Sequence, residues 1–531
     1  MKLGTFIALL FAVVTACAQS PDPLTDKESS ASAHPIRLLT PDSRASSASA
    51  LFDVTWYELR LRVIPSPAQL VGAVHIRGIV RADSATELTF DLASPMTVDS
   101  VVLSGGSAFV ERAGDAFLVL LDRSYHAGEP VDLTVHYRGL PVSTGFGSFE
   151  FSSANGAPWI WSLSEPYGSR DWWPCKDAPE DKADSVDIYV TTDAILRVGS
   201  NGTLRSVVDN GDGTRTHHWH ESYPIATYLV SVAMADYAVF SNWFAYSPTD
   251  SMEVLNYVLP SHLASAQASL PRTVDMLRVF SEIYGPYPFL REKYGHADFG
   301  KGGAMEHQTM TSTTTYNEST ISHELAHQWF GDMVTCRTWP HLWLNEGFAQ
   351  YGTALYYERM YGTSQYWGYM NTQLNVAKAA TGTLVLEDTS SINTMFPSAR
   401  VYAKGAVVLH MLRHVLGDTL FFQSLRAYAA DSTVAYGSAM TDDFRAVCER
   451  VSGRPLGWFF DEWAYGENSP DYAISWNAVD TLDGVNLTLT LLQSTGTTRP
   501  AFFTMPLDVR VSDDLGDTVL TLWNDQAVQS F

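Results

Sequence analysis

His323, Glu324 and His327 stand in an HExxH spacing within TISHELAHQWFGDMVTCRTWPHLWLNE, residues 320–346. Two histidines four residues apart lie on one face of a helix, so both imidazoles can reach one ion. The run from Ile321 to Phe330 has neither Gly nor Pro, which allows that helix. Glu324 follows the first histidine and can act as general base on a water at the ion. Eighteen residues separate His327 from Glu346, enough to leave one helix, turn at Pro340 and begin another. Glu346 can then return as a third ligand. Two imidazoles and a carboxylate make a catalytic zinc set, with the fourth position left for water. HExxH alone is a moderate signal, and a satisfied core histidine is the plainer reading. The acid placed within LNEGFAQY makes the metal site the better one.

HELAHQWFGD followed by LWLNEGFAQY resembles the aminopeptidase N and leukotriene hydrolase family of zinc peptidases, peptidase family M1. Three more stretches agree, in the family's order. GGAMEH at Gly302–His307 resembles the exopeptidase motif, usually GAMEN. VYAKG at Val401–Gly405 resembles the segment with the catalytic tyrosine. EPYGSRDWWPCKDAP at Glu165–Pro179 resembles the stretch whose acidic or amide residue also grips the substrate amine. The resemblance runs over residues of roughly 50–470. His307 departs from it, standing where the family usually has Asn.

The resemblance implies roles. Zinc would sit on His323, His327 and Glu346, one ion per chain. Glu324 would take the proton of the attacking water and pass it to the leaving amine. Tyr402 would donate to the oxyanion of the tetrahedral intermediate; on the residues alone it reads as a packed aromatic at a helix start. Glu165 and Glu306 would bind the α-ammonium of a peptide with a free N-terminus. Gly303, Ala304 and Met305 belong to the segment that would hold the peptide as an added strand, with His307 beside the amine subsite. The expected function is therefore hydrolysis of the N-terminal peptide bond. An endopeptidase with the same metal chemistry is a second reading, opposed by Glu306 and Glu165. A non-enzymatic binding scaffold is a third. A scaffold has no reason to keep a base beside the metal, so Glu324 and Tyr402 speak against it.

These groups need a large frame to hold them. The 531 residues are too many for one domain, and a 46% hydrophobic, 12% aromatic composition can bury sizeable cores. The 58 acidic against 34 basic residues give a formal charge of -24, which disfavours nucleic acid as a partner. Lys2, the apolar run Phe6–Val14 and small residues after it read as a secretory signal, too short to span a bilayer. Val14-Thr15-Ala16-Cys17 resembles a bacterial lipobox, implying a lipidated Cys17 and a membrane partner. Cleavage after Ala18 is the alternative. The expectation is an exported protein of the bacterial cell envelope, lipid-anchored, or alternatively secreted. Three cysteines remain, Cys175, Cys336 and Cys448, so at most one disulfide can form.

The pattern predicts a multidomain α+β chain. Residues 1–17 are the signal peptide and 18–50 a Ser-, Ala- and Pro-rich tether. Residues 51–245 form a mostly-β domain, since Leu59, Leu61 and Val63 alternate with polar residues, as do Leu88, Phe90 and Leu92. Asn210-Gly211-Asp212-Gly213 marks a turn between two strands. His217, His218 and His220 offer no second metal site: strand alternation splits them and no acidic partner sits nearby. Residues 246–466 form a mainly helical domain, which the resemblance implies is the thermolysin-like catalytic one. Helices are predicted over Pro271–Tyr284, around both metal motifs, near Lys404–Leu416, and over Thr441–Ser452 with Thr441 as N-cap and Gly453 as stop. Residues 467–531 form a short β domain that resembles the family's small β-sandwich, with few residues for a complete one.

Overall fold

The computed structural model describes residues 51–482, 484–513 and 516–531. The signal peptide, the tether and Cys17 lie outside the described residues.

The first unit is built on an eight-stranded sheet. Phe52–Ile64 lies inside it, antiparallel to Gln69–Val80 and parallel to Ser185–Asp193. Leu59, Leu61 and Val63 are buried on one face while Glu58, Arg60 and Arg62 point the other way, as period-two alternation requires. The Asn210–Gly213 turn joins Thr203–Asp209 to Thr214–Glu221. On Thr214–Glu221 His217 faces the core, whereas His218 and His220 face out. The expectation that these two lack an acidic partner is corrected. Asp187 on the neighbouring strand lies 2.7 Å from His218 Nε2 and 3.0 Å from His220 Nδ1. Asp187 is some thirty residues away in sequence, so only the strand pairing reveals it. A four-stranded sheet follows, and its strand Ala157–Leu163 leads directly into Ser164 and Glu165.

The second unit opens with a five-stranded mixed sheet. Its strands are β1 (Ala238–Ala245), β2 (Ser251–Val258), β3 (Lys293–Ala297), β4 (Ala304–Met305) and β5 (Thr311–Thr313), in the order β1-β2-β3-β5-β4. β1 starts before residue 246, so this sheet draws its edge strand from the stretch read as the first domain. Helix α1 (Thr273–Tyr284) lies between β2 and β3, and α2 (Glu318–His327), α3 (Trp343–Tyr361) and α4 (Thr363–Ala377) follow β5. A π-helical turn, Ser398–Lys404, runs straight into α5 (Gly405–Leu416). Helices α6 (Asp418–Ala429), α7 (Thr441–Ser452) and α8 (Gly457–Trp463) complete the unit. Gly453 takes the left-handed φ of 67° that ends α7, as expected. The N-cap of α7 is Met440 rather than Thr441, whose hydroxyl instead accepts from Trp343 Nε1 at 2.9 Å.

The last unit has two hairpins, Asp471–Thr481 with Gly484–Ser494 and Met505–Asp513 with Gly516–Asn524, plus Val528–Ser530 on the first. Cys175, Cys336 and Cys448 are buried free thiols. Among the described residues no helix is long and apolar enough to cross a membrane.

Candidate active site

Helix α2 begins where Asn317 Oδ1 accepts from Thr320 N at 2.8 Å, with Glu318 in the first turn favourable to the helix dipole. From Thr320 on it is buried all round, being walled in by the sheet and by α3. His323 and His327 are one turn apart on it. After His327 the chain turns sharply at Gly331, whose φ is 138°. A Cβ there would lie 2.9 Å from His327 Nδ1, so only glycine leaves the imidazole its place. His327 Nδ1 lies 3.1 Å from Phe330 O, so it donates there and leaves its Nε2 lone pair free for a metal.

Glu346 comes from the first turn of α3. Its neighbour Asn345 accepts from Cys336 N at 3.0 Å and donates to Tyr228 Oη at 3.3 Å. Next to it, Gly347 meets Gly405 of α5: a Cβ on Gly347 would stand 2.8 Å from Gly405 Cα. This backbone-to-backbone contact brings the π-helical turn against Glu346. Tyr402 Oη thereby donates to Glu346 Oε1 at 3.0 Å. A π-turn adds a residue to the helix and re-aims a side chain, a device common at functional sites.

Three ligand atoms converge. His323 Nε2 and His327 Nε2 are 3.1 Å apart, and Glu346 Oε2 is 3.2 Å from the first and 3.3 Å from the second. A tetrahedral zinc about 2.0 Å from each ligand would hold such atoms about 3.3 Å apart. Donor types and spacing both fit that ion. Its neighbourhood is anionic: Glu165, Glu306, Glu324 and Glu346 are all fully buried. Burial presses the His327 imidazolium down, but Glu306, Glu346 and Glu324 outweigh it and lift its pKa to about 9. These buried carboxylates favour positive charge among them.

Part of that charge belongs to a second cluster. Glu165, Glu306 and Glu346 each offer an oxygen within 4.8 Å of the others. Glu306 Oε1 also lies 4.0 Å from His327 Nδ1. Glu306 and His307 sit in the loop between β4 and β5, just after Ala304 and Met305. Strand β4 is an edge strand, paired among the described residues with β5 alone. Gly303, at φ 79°, turns the chain into it. His307 is buried, its Nδ1 2.8 Å from Ser312 Oγ on β5, so one ring nitrogen is tied into the hairpin.

Two family models match this chain, the Peptidase M1 N-terminal domain over residues 54–229 and the Peptidase family M1 domain over residues 299–463. The chain belongs to peptidase family M1. It is 26% identical over 369 residues to aminopeptidase M1-B of Oryza sativa subsp. japonica, covering 65% of this chain and 40% of that protein. It is 25% identical to probable aminopeptidase 2 of Sulfurisphaera tokodaii, covering 66% of this chain and 46% of that one. The chain thus spans under half the length of these curated relatives. Among solved structures, the M1 zinc metallopeptidase of Deinococcus radiodurans superposes with a TM-score of 0.70 at 26% identity, over 79% of this chain and 95% of that one. A mutant of that enzyme was solved with a Tyr-Ser-Ala substrate bound.

The M1 site has further residues that sequence reasoning passed over. Gln328 and Asp332 follow His327 within the same motif, and Gln328 Nε2 donates to Asp332 Oδ2 at 2.6 Å. Burial first, then Glu306, pushes the Asp332 carboxyl well above its usual range. Lys182 of the first unit donates to Asp332 O at 2.6 Å and Met333 O at 3.1 Å, pinning the turn after α2. Tyr228, also of the first unit, donates to Gly331 O at 3.3 Å. Gln328 and Asp332 lie inside HELAHQWFGD, but nothing in the sequence assigned them, Lys182 or Tyr228 a role.

Proposed function

We propose that this protein is an exported zinc aminopeptidase that removes the first residue from peptides with a free N-terminus, held at the membrane through a lipidated Cys17. The observation that carries the reading is the carboxylate cluster of Glu165, Glu306 and Glu346 beside the three metal donors. Buried carboxylates demand a cation. A peptide's α-ammonium, with a pKa near 8, supplies one at neutral pH. An internal peptide bond has no such charge to offer Glu165 and Glu306.

Bound to His323, His327 and Glu346, zinc supplies Lewis acidity toward a carbonyl oxygen and lowers the pKa of a water at its open position. Glu324 is one residue from His323 and fully buried beside it. It accepts the proton of the attacking water and returns it to the leaving amine. Tyr402, held on Glu346 at 3.0 Å, turns its O–H to the oxyanion, where charge develops in the transition state. Glu165 and Glu306 fix the α-ammonium, so the first peptide bond is the one presented. The edge of β4 offers backbone groups to the extended peptide. The relatives' names, aminopeptidase in each case, agree with this.

The test uses one tripeptide, free or N-acetylated, and protein assayed for metal. One zinc per chain, loss of activity on chelation, rescue by zinc, and strong preference for the free amine are expected. Equal cleavage of both peptides, or products cut from the interior, would make the protein an endopeptidase. Full activity without metal would remove zinc from the reading.

A further inference from the structure

The carboxylate of Glu306 can select an amine only if its distance from the metal donors is fixed. Glu306 is carried by the short loop between β4 and β5, and such loops move unless tied. Four residues from three other segments tie this one. Asn201 Nδ2 donates to Gln308 O at 2.7 Å, and Gly202 N to Thr309 Oγ1 at 2.7 Å. Lys293 Nζ donates to Thr309 O at 3.1 Å. The fourth tie is the amide of Gln328, the residue after His327. Its Nε2 donates to Glu306 O at 3.2 Å and its Oε1 accepts from Thr309 N at 2.9 Å. One side chain on the metal-helix segment thus clasps both ends of the loop. Its other contacts hold the amide itself: Tyr287 Oη donates to Oε1 at 3.2 Å, and Asp332 Oδ2 accepts from Nε2.

The loop is also strained where Gln328 grips it. Thr309 is fully buried with φ at 64°, the left-handed region that a β-branched residue avoids. Such a conformation costs about 1–3 kcal/mol and persists only when its surroundings over-determine it. The Gln328 amide, the Lys293 ammonium and Gly202 N are those surroundings.

We infer that Gln328 is a positioning residue: its amide sets the span from the metal donors to the amine-binding Glu306, and so sets cleavage after the first residue. This rests on the aminopeptidase reading. A glutamine fits the task because it donates and accepts at once from one rigid plane. Glutamate in its place would keep the acceptor for Thr309 N but lose the donor to Glu306 O.

Gln328→Ala and Gln328→Glu would be compared with wild type, by zinc content, thermal melting, and KM and kcat on a free and an N-acetylated tripeptide. Both variants are expected to hold one zinc. Each should raise KM for the free peptide at least about tenfold, with a smaller fall in kcat, because ground-state amine binding is what loosens. The free-to-acetylated preference should shrink by a similar factor, and dipeptide release should appear. Zinc-loaded variants that keep the wild-type preference within about twofold would overturn the inference. So would loss of zinc in both, because Gln328 would then serve the metal alone. If wild type itself showed no preference for the free amine, the aminopeptidase reading would fall first.

Discussion

At the scale of single residues, the metal donors were legible because a helix makes them so. Spacing of four residues and a period of 3.6 place two histidines together with no tertiary knowledge. Glu346 was legible only with its motif. The two carboxylates Glu165 and Glu306, 141 residues apart by number, were legible through the resemblance alone. Gln328 and Tyr228 were not, because their meaning lies in partners far along the chain. Gln328 reaches back 22 residues to Glu306, and Tyr228 forward 103 to Gly331. Glu324 separates base from ligand. On the proposed reading, its position one residue from His323 would let it serve a water without being a donor in the 3.1–3.3 Å triangle. Glu324→Gln should keep one zinc per chain and lose kcat by orders of magnitude, since an amide accepts no proton. Metal analysis beside steady-state kinetics decides it. Activity within about tenfold of wild type, an effect of ~1.4 kcal/mol, would take the base role away from Glu324.

At the scale of elements, long helices followed from pattern, and α1, α2, α5 and α7 lie where apolar periodicity and stop residues put them, within a few residues. The five-stranded sheet was less legible. Its strands β3, β4 and β5 are short and buried on both faces, so they show no alternation to read. The π-turn at Ser398–Lys404 has no sequence signal either. Thr441 misled because a hydroxyl that suits an N-cap suits a tertiary contact equally, and Trp343 and His341 claim it. The crossing of α3 and α5 at Gly347 and Gly405 carries the site's geometry. Gly347→Ala would force the two backbones apart, because they cannot give as side chains do. Overpacking of this kind costs about 1–3 kcal/mol. The variant should melt lower and lose kcat beyond the loss expected from unfolding, as Tyr402 withdraws from Glu346. A variant with wild-type melting and kcat would show that the crossing does not set that contact.

At the scale of the whole molecule, acid should weaken the fold through buried imidazoles. His296 is fully buried on β3, its Nδ1 2.8 Å from Asn256 Oδ1, and burial pushes its pKa down to about 3. The unfolded value is about 6.5. Between these values the unfolded chain binds the extra proton, so this group's stabilisation is present above about 6.5 and lost toward about 3. His296→Gln should flatten the fall of melting temperature from pH 7 to pH 4, whatever it does at neutral pH. An unchanged slope would assign the acid sensitivity elsewhere. The membrane proposal is tested at the same scale. Full-length protein should partition into detergent and Cys17→Ser should release it, since a diacyl-type anchor resists washing. A mature chain beginning at Gln19 would end that proposal.

Lys182, Asn201 and Tyr228 all belong to the first unit, and all end on the turn or loop that frames the metal helix. Glu165 comes from there as well. On the proposed reading, the residues that bind the substrate amine therefore come from both of these units. The family's two matched segments are separate as models but not as working parts. Exchange of the hairpins from Asp471 onward would leave these contacts in place. A junction between residues 229 and 299 that paired units of different ancestry would have to rebuild these contacts together. Variation in this lineage should accordingly enter from the far end, while the first two units are passed on as one.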